Sequence, residues 1–332
     1  MTQPVLPGIR YSFVIPIFNE EEVLPLLLPR ILHLLAGLDG PAEVIFVDDG
    51  SSDGSAAVLA AITRQNPACR SVALSRNFGH QIAITAGMDV ARGEAIIVMD
   101  ADLQDPPEIV TQMIARWKAG FQVVYAKRLT RSGESWFKRA SAQMFYKLLK
   151  NLTQVDIPRD VGDFRLIDRK VLDAFKAMPE RDRFVRGMFA WLGFRQTAIE
   201  FHRPERAAGE TKYPLFKMMR LALNGIIGFS DTPLRLAIWL GMAISALALV
   251  YGIYVIAMWM THSQLVSGWS STIVIISFLC GINMLMTGII GLYIGRIYNE
   301  VKRRPLYVVD QRAGFTPVEI SAQDNARAEE AA

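Results

Sequence analysis

Cysteine and histidine are scarce in this chain, with two of the first and four of the second among 332 residues. Cys69 and Cys280 stand far apart in unlike surroundings, which excludes a disulfide framework or a thiolate metal site and points to a reducing compartment. His33, His80, His202 and His262 show no ligand spacing, so each is read as structural or exposed. A strong charge imbalance is missing too. Lys and Arg total 36 against 32 Asp and Glu, and a net charge of +4 implies no nucleic acid partner. No cleavable leader is expected, because Met1–Gly8 is polar and carries proline.

Charge is absent altogether from two long runs. Ala237–Met260 is 24 residues without a charged side chain, and Ser263–Gly295 is likewise uncharged. A bilayer core needs roughly 20 apolar residues as helix, so both runs qualify as spans. The link between them carries no Lys or Arg, whereas Arg235 precedes the first run and Arg296, Lys302, Arg303 and Arg304 follow the second. That asymmetry places both ends of the hairpin, and with them both termini, on the cytoplasmic side. Gly288, Gly291 and Gly295 give the second run a small-residue face, and Asn283 offers a polar group in mid-span. Just upstream, Pro214–Ser230 sets Lys217, Arg220 and Asn224 at helical spacing among apolar residues, an amphipathic pattern suited to the membrane interface.

The remainder reads as α/β. Short apolar runs at Tyr11–Ile17, Glu43–Val47, Ser71–Leu74, Ala95–Met99 and Val123–Ala126 alternate with helical patterns at Glu20–Leu38, Ala56–Ile62, Gln81–Ala91 and Pro107–Trp117. Such alternation predicts an open, mostly parallel sheet, whose ligands sit beyond the carboxyl ends of the strands. Polar clusters fall at four of those ends: Asn19-Glu20, Asp48-Asp49-Gly50-Ser51, Arg76-Asn77 and Asp100-Ala101-Asp102. Packing does not call for four such clusters on one edge, and a binding site does.

Asp100 and Asp102 leave the end of a buried strand with one small residue between them. Two hard oxygen ligands suit Mg²⁺ or Mn²⁺ with positions left for a diphosphate. Alone, an Asp-x-Asp pair arises often by chance; its strand context gives it weight. Gln104 and Asp105 either orient ligands or cap the turn. Asp48 and Asp49 can accept bonds from a base N–H and ribose hydroxyls, while Ser51, Ser52 and Asp53 can serve as a helix N-cap. Lys127, Arg128, Arg131, Lys138 and Arg139 form a basic stretch, and Arg203, Arg206 and Lys212 lie in a later loop.

Three motifs, Ile15-Pro16-Ile17-Phe18-Asn19-Glu20, Val47-Asp48-Asp49-Gly50-Ser51 and Asp100-Ala101-Asp102-Leu103-Gln104-Asp105-Pro106-Pro107, resemble family 2 glycosyltransferases of the GT-A fold. Asp163-Phe164-Arg165-Leu166, Arg183-Phe184-Val185-Arg186-Gly187, the Arg206–Tyr213 stretch and the closing Gly295-Arg296-Ile297-Tyr298-Asn299-Glu300 narrow the resemblance. Together they look like polyisoprenyl-phosphate glycosyltransferases, nearest the bactoprenol glucosyltransferases and related to dolichol-phosphate mannose synthase. The resemblance spans about residues 10–310. It implies metal-dependent, inverting transfer of one sugar from a nucleotide donor, with UDP-glucose as best guess, to undecaprenyl phosphate at the cytoplasmic face of a bacterial inner membrane. Pro16, Asn19, Glu20, Asp48, Asp49, Arg76 and Asp100 would then bind the nucleotide-sugar, and Asp100 and Asp102 the metal. Asp163 is the candidate base by motif position, with Asp160 as a weaker contender and a structural ion pair to Arg165 or Arg169 as the alternative. Arg128, Lys138, Arg139, Arg203, Arg206 and Lys212 would meet the lipid phosphate or diphosphate, and the resemblance implies a homotetramer.

The chain divides accordingly into a GT-A catalytic domain at 1–212, a juxtamembrane region at 213–233, a two-helix hairpin at 234–296 and a cytoplasmic tail at 297–332. The tail after Thr316 has no core pattern and reads as disordered. Other sugars, such as mannose, an amino sugar or formamido-arabinose, fit the same chemistry. A processive synthase is opposed by two spans and by the absence of a Trp after Arg186, and a non-catalytic scaffold by the complete acidic set.

Overall fold

The computed structural model describes residues 8–129, 161–201, 232–261 and 268–316. Along the chain run β1 (Tyr11–Ile17), α1 (Leu24–Ala36), β2 (Ala42–Asp48), α2 (Ser55–Gln65), β3 (Cys69–Leu74), α3 (His80–Val90), β4 (Ala95–Val98), α4 (Ile109–Lys118) and β5 (Val123–Arg128). After them come β6 (Val161–Asp168), α5 (Arg169–Lys176), α6 (Val185–Trp191), β7 (Gln196–Phe201), α7 (Thr232–Thr261), α8 (Trp269–Val301) and β8 (Val309–Ala313). All five strands and all four helices read from apolar periodicity are present, with ends displaced by a few residues.

The eight strands form one sheet in the order β7-β5-β6-β4-β1-β2-β3-β8. β3, β2, β1 and β4 are mutually parallel, and β7 runs parallel to β5. β6 is inserted antiparallel between β4 and β5, and β8 closes the other edge antiparallel to β3. Strand side chains alternate between two apolar layers. On β1, Phe13, Ile15 and Ile17 pack with α1, α2 and α4, while Val14 packs with α3 on the opposite face. Burying each such side chain contributes about 1.5–3 kcal/mol. At Gly87 an added methyl group would collide with Val14 and Val47, so only glycine lets α3 lie this close to the sheet.

At the end of the sheet away from the polar clusters, Glu43 is buried yet fully engaged. Its carboxylate accepts from the Ser12 hydroxyl at 2.7 Å and from the Arg92 backbone and guanidinium, with Arg70 at 3.3 Å. Buried carboxylates are tolerated when paired this way.

α7 and α8 each contain a stretch long and apolar enough to cross a membrane, Leu234–Tyr254 and Val274–Val301, both at a mean hydropathy of 2.1 and neither buried within the chain. Where described, most of their large apolar side chains are exposed and none is fully buried.

The segment assigned from sequence to a tail behaves differently over residues 309–313. It forms β8, pairing Ser71 with Ala313 and Leu74 with Val309. Just ahead of it, Tyr307 is buried and donates its hydroxyl to Asp89 at 2.8 Å. The sheet of the first domain is therefore completed by chain that follows the hairpin. The amphipathic stretch at 214–230 and the tail after Thr316 lie outside the described residues.

Candidate active site

The loops after β1, β2 and β3 are tied into one rim. Asn19, at a left-handed φ of 56°, donates its backbone N–H to Ser51 Oγ at 3.0 Å and accepts from the Ser52 N–H through Oδ1 at 2.8 Å. The Glu20 N–H reaches Ser55 Oγ at 2.9 Å. Asp48 Oδ1 accepts from the Ser51 N–H at 2.9 Å, closing its own turn. Asp49 spans to the third loop, where Oδ1 accepts from the Phe78 N–H at 2.7 Å and Oδ2 from the Gly79 N–H at 2.9 Å. Burial raises the Asp49 pKa, and those two amide bonds only partly offset it. Gly50 holds φ +69°, and a Cβ there would lie 2.5 Å from the Arg76 carbonyl carbon. Arg76 is exposed on this rim with its guanidinium 4.0 Å above the Phe78 ring. Pro16 sits within β1, in register with Val47, and is buried.

The rim continues at the end of β4. The Asp100 N–H donates to Asp105 Oδ2 at 3.1 Å, and the Gln104 N–H donates to Asp102 Oδ1 at 3.1 Å. Between them Leu103 adopts φ 59°, a strained conformation for a branched residue. Asp105 thus shapes the turn, one of the two roles open to it in the sequence. Asp100 Oδ1 is buried with no hydrogen-bond partner among the described residues; its nearest cation is His80 Nε2 at 3.4 Å. Burial raises the Asp100 pKa against the opposing charge of His80, and the carboxylates of Asp163 and Asp102 raise it further. A buried carboxylate oxygen left unsatisfied in this way fits a bound Mg²⁺ or Mn²⁺. No group of three or more His, Cys, Asp or Glu side chains is placed to hold a metal among the described residues.

Antiparallel β6 sets Arg165 against Val98, so Asp163 projects just past the end of β4. Arg186, in the first turn of α6, donates Nε to Asp163 Oδ1 at 2.8 Å and Nη2 to Oδ2 at 2.9 Å. Gln81 Nε2 adds a bond to Oδ2 at 3.1 Å, and Gln81 Oε1 accepts from the Val185 N–H at 3.1 Å. His80 Nε2 stands 3.3 Å from Asp163 Oδ2. Burial alone would raise the Asp163 pKa, but the charge and hydrogen bonds of Arg186 hold it well below the usual carboxylate range. A carboxylate held that low accepts protons weakly. Asp163, the base candidate by motif position, thus stands as an ionised carboxylate gripped by Arg186. Of the two ion-pair partners considered from the sequence, Arg165 Nη2 lies 3.9 Å from Asp163 Oδ1, and Arg169 binds the carbonyls of Ala91 and Gly93. Burial lowers the Arg165 pKa to about 10, which leaves it charged at neutral pH.

His80 corrects the reading as well. Burial of its ring nitrogen would lower its pKa, yet the Asp163 hydrogen bond and the charges of Asp100 and Asp163 raise it to about 9. The side chain retains 45% of its surface exposed while Nε2 faces both carboxylates, so it lies at the site rather than at a neutral surface position. The available signal was its place at the first residue of a helix following a polar strand end. Arg186 entered the sequence reading as part of the Arg183–Gly187 motif and for the absent Trp beside it, with no partner assigned.

Arg128 ends β5 in register with Phe201, beside the bonded pair of Lys127 and Glu200. Lys138, Arg139, Arg203, Arg206 and Lys212, together with Arg131 and Asp160, fall outside the described residues.

Residues 12–175 match the pattern described as glycosyl transferase family 2. The uncharacterized glycosyltransferase YkcC of Bacillus subtilis is 49% identical over 92% of this chain and 95% of its own. An uncharacterized glycosyltransferase of Synechocystis sp. is 45% identical over 94% of this chain and 98% of its own. The prophage bactoprenol glucosyl transferase homolog of Escherichia coli is 39% identical over 90% and 98%. Aligned nearly end to end with such relatives, the chain belongs to glycosyltransferase family 2 and is a glycosyltransferase homologous to the bactoprenol glucosyl transferases.

Proposed function

We propose that this enzyme transfers a single glucose from UDP-glucose to undecaprenyl phosphate at the cytoplasmic face of the membrane, with inversion at the anomeric carbon. The observation that carries this reading is the joining of two features in one chain. An unsatisfied Asp100 carboxylate lies beside the Asp163–Arg186 pair, and the same chain contains two helices apolar enough to cross a bilayer. Similarity to the Escherichia coli bactoprenol glucosyl transferase homolog supports bactoprenol as the lipid and glucose as the sugar.

Asp100 and Asp102 would hold the divalent cation, which when bound neutralises charge on the leaving diphosphate. The chain's own residues do the rest. Asn19, Glu20, Asp48, Asp49 and Arg76 form the rim that receives the nucleotide, and Pro16 fixes the strand beneath it. Asp163 stays ionised and holds Arg186 and His80 as cations at the edge of the site. These favour the two anions, donor diphosphate and acceptor phosphate, that must approach each other. Near neutral pH the acceptor phosphate is already anionic, so a strong base is not needed. Arg128 with Lys138, Arg139, Arg203, Arg206 and Lys212 would supply the charge that draws the lipid phosphate in.

The test is transfer by full-length protein in lipid, offered UDP-glucose, UDP-N-acetylglucosamine or GDP-mannose with undecaprenyl phosphate and Mg²⁺ or Mn²⁺. A glucose-bearing glycolipid of inverted configuration is expected. Glycolipid from another donor would replace the sugar, and no glycolipid from any donor would overturn the reading.

A further inference from the structure

The closing motif Gly295-Arg296-Ile297-Tyr298-Asn299-Glu300 has no place in the chemistry above, although it ends the second apolar helix. A bilayer core accommodates about 20 helical residues, and α8 has 33. Its last turns therefore emerge from the apolar layer. There they meet the loop between α5 and α6. Arg296 Nη2 lies 3.0 Å from Asp182 Oδ2, and Glu300 Oε1 accepts from the Arg181 N–H at 2.9 Å. The same loop is braced from within by Arg183, which donates to the carbonyls of Met178 and Glu180 and lies over the Phe175 ring. Three residues on is Arg186, which fixes Asp163.

We infer that Arg296 and Glu300 are positioning residues: the exit of the membrane helix clasps the 181–182 loop and thereby sets Arg186 and Asp163 at the acceptor side of the site. The chain beyond α8 holds the same arrangement in place. Tyr307 bonds Asp89 of α3 and β8 pairs with β3, so the chain that leaves the helix exit is anchored to the domain just beyond the clasp. A rigid connection of this kind fixes the height of the catalytic pair relative to the bilayer, where a lipid phosphate must be met. The inference rests on the lipid-acceptor reading for its kinetic consequence and on geometry alone for its structural one.

Full-length protein in lipid nanodiscs separates the two. Hydrogen exchange is followed at the amides of residues 181–187, and kinetic constants are measured for undecaprenyl phosphate and for UDP-glucose. Losing the charge-assisted bond in Glu300→Ala should speed exchange at Arg181 and lower kcat/KM for the lipid by about tenfold, with KM for UDP-glucose within about twofold. Glu300→Gln keeps an acceptor oxygen and should restore both. Arg296→Glu should reproduce the defect, and Asp182→Arg added to it should reverse it. Unchanged exchange in Glu300→Ala overturns the clasp. Equal losses for donor and acceptor, with a lowered melting temperature, would show a general structural role and overturn the positioning one. If the wild-type enzyme transfers no sugar, the lipid-acceptor reading fails while exchange still decides the clasp.

Discussion

Arg186 grips the Asp163 carboxylate with two nitrogens, Nε at 2.8 Å from Oδ1 and Nη2 at 2.9 Å from Oδ2. Removing one partner of such a pair strands the other. Arg186→Ala should destabilise the protein by about 2 kcal/mol, less than for a wholly buried pair, because Arg186 keeps 34% of its side chain exposed. Arg186→Lys retains charge without the fork and should recover only part of the loss. Thermal melts of the purified variants measure this. Asp163→Asn should abolish transfer while UDP still binds, since the rim that receives the nucleotide is untouched.

Asp100 gives the opposite sign. Its Oδ1 is buried without a hydrogen bond, and burial raises its pKa. Asp100→Asn should therefore leave metal-free stability unchanged or higher by about 1 kcal/mol, yet abolish the melting-temperature rise on adding Mn²⁺ with UDP. A variant that kept the full metal-dependent rise would remove Asp100 from the metal site.

Gly50 is the tightest point between the second and third loops. Alanine there meets both a φ of +69° and the Arg76 backbone at 2.5 Å. Gly50→Ala should cost about 1–3 kcal/mol and weaken UDP binding, because Asp49 then loses its register on Phe78 and Gly79. Calorimetric titration with UDP reads the second effect directly.

The Asp39 cluster, at the opposite end of the strands from the site, sets an acid limb for stability. Hydrogen bonds from Lys118 and Tyr11 lower the Asp39 pKa to about 2 from an unfolded-like 3.8. A group depressed in the folded state stabilises above its unfolded pKa and loses that contribution as protons bind. Wild-type stability should thus fall between pH 4 and pH 2, and Asp39→Asn should flatten that part of the curve. Melting temperature against pH in the two proteins decides it.

Domain boundaries offer the last test. A fragment of residues 1–212 lacks β8 and leaves the β3 edge open, with the Tyr307–Asp89 bond gone. Open edges template aggregation. The fragment should melt lower and aggregate, and linking residues 305–316 to its end should rescue both. Equal behaviour of the two fragments would show that β8 adds nothing to the sheet.

The core sheet was legible because its information is local. Tyr11–Ile17, Val44–Val47 and Ile96–Val98 are short apolar runs whose polar sequels mark the strand ends. Gln81–Ala91 and Pro107–Trp117 show helical periodicity that the structure reproduces within two residues. β6 and β7 were not read as strands, although Asp163-Phe164-Arg165-Leu166 was noted as a motif. β6 carries charge at three positions, Asp163, Arg165 and Asp168, which masks its apolar pattern. At Asp163 the sequence offered Arg165 or Arg169 as partner, whereas the two-nitrogen grip comes from Arg186. Arg165, Arg169, Arg181, Arg183 and Arg186 are all near Asp163 in sequence, and spacing alone cannot rank them.

By itself, then, the sequence determined the alternation of strands and helices, the acidic edge of the sheet and the two uncharged spans, because hydrophobic periodicity and charge absence are properties of neighbouring residues. Tertiary structure decided that β6 runs backwards between β4 and β5, which carries Asp163 to His80 and Arg186. It also decided that the chain returns from α8 to grip Asp182 and pair with β3. Those outcomes depend on which charges and sheet edges meet across 23 residues of chain, for Asp163 and Arg186, and across far more for the others. Packing geometry settles that, and no local pattern encodes it.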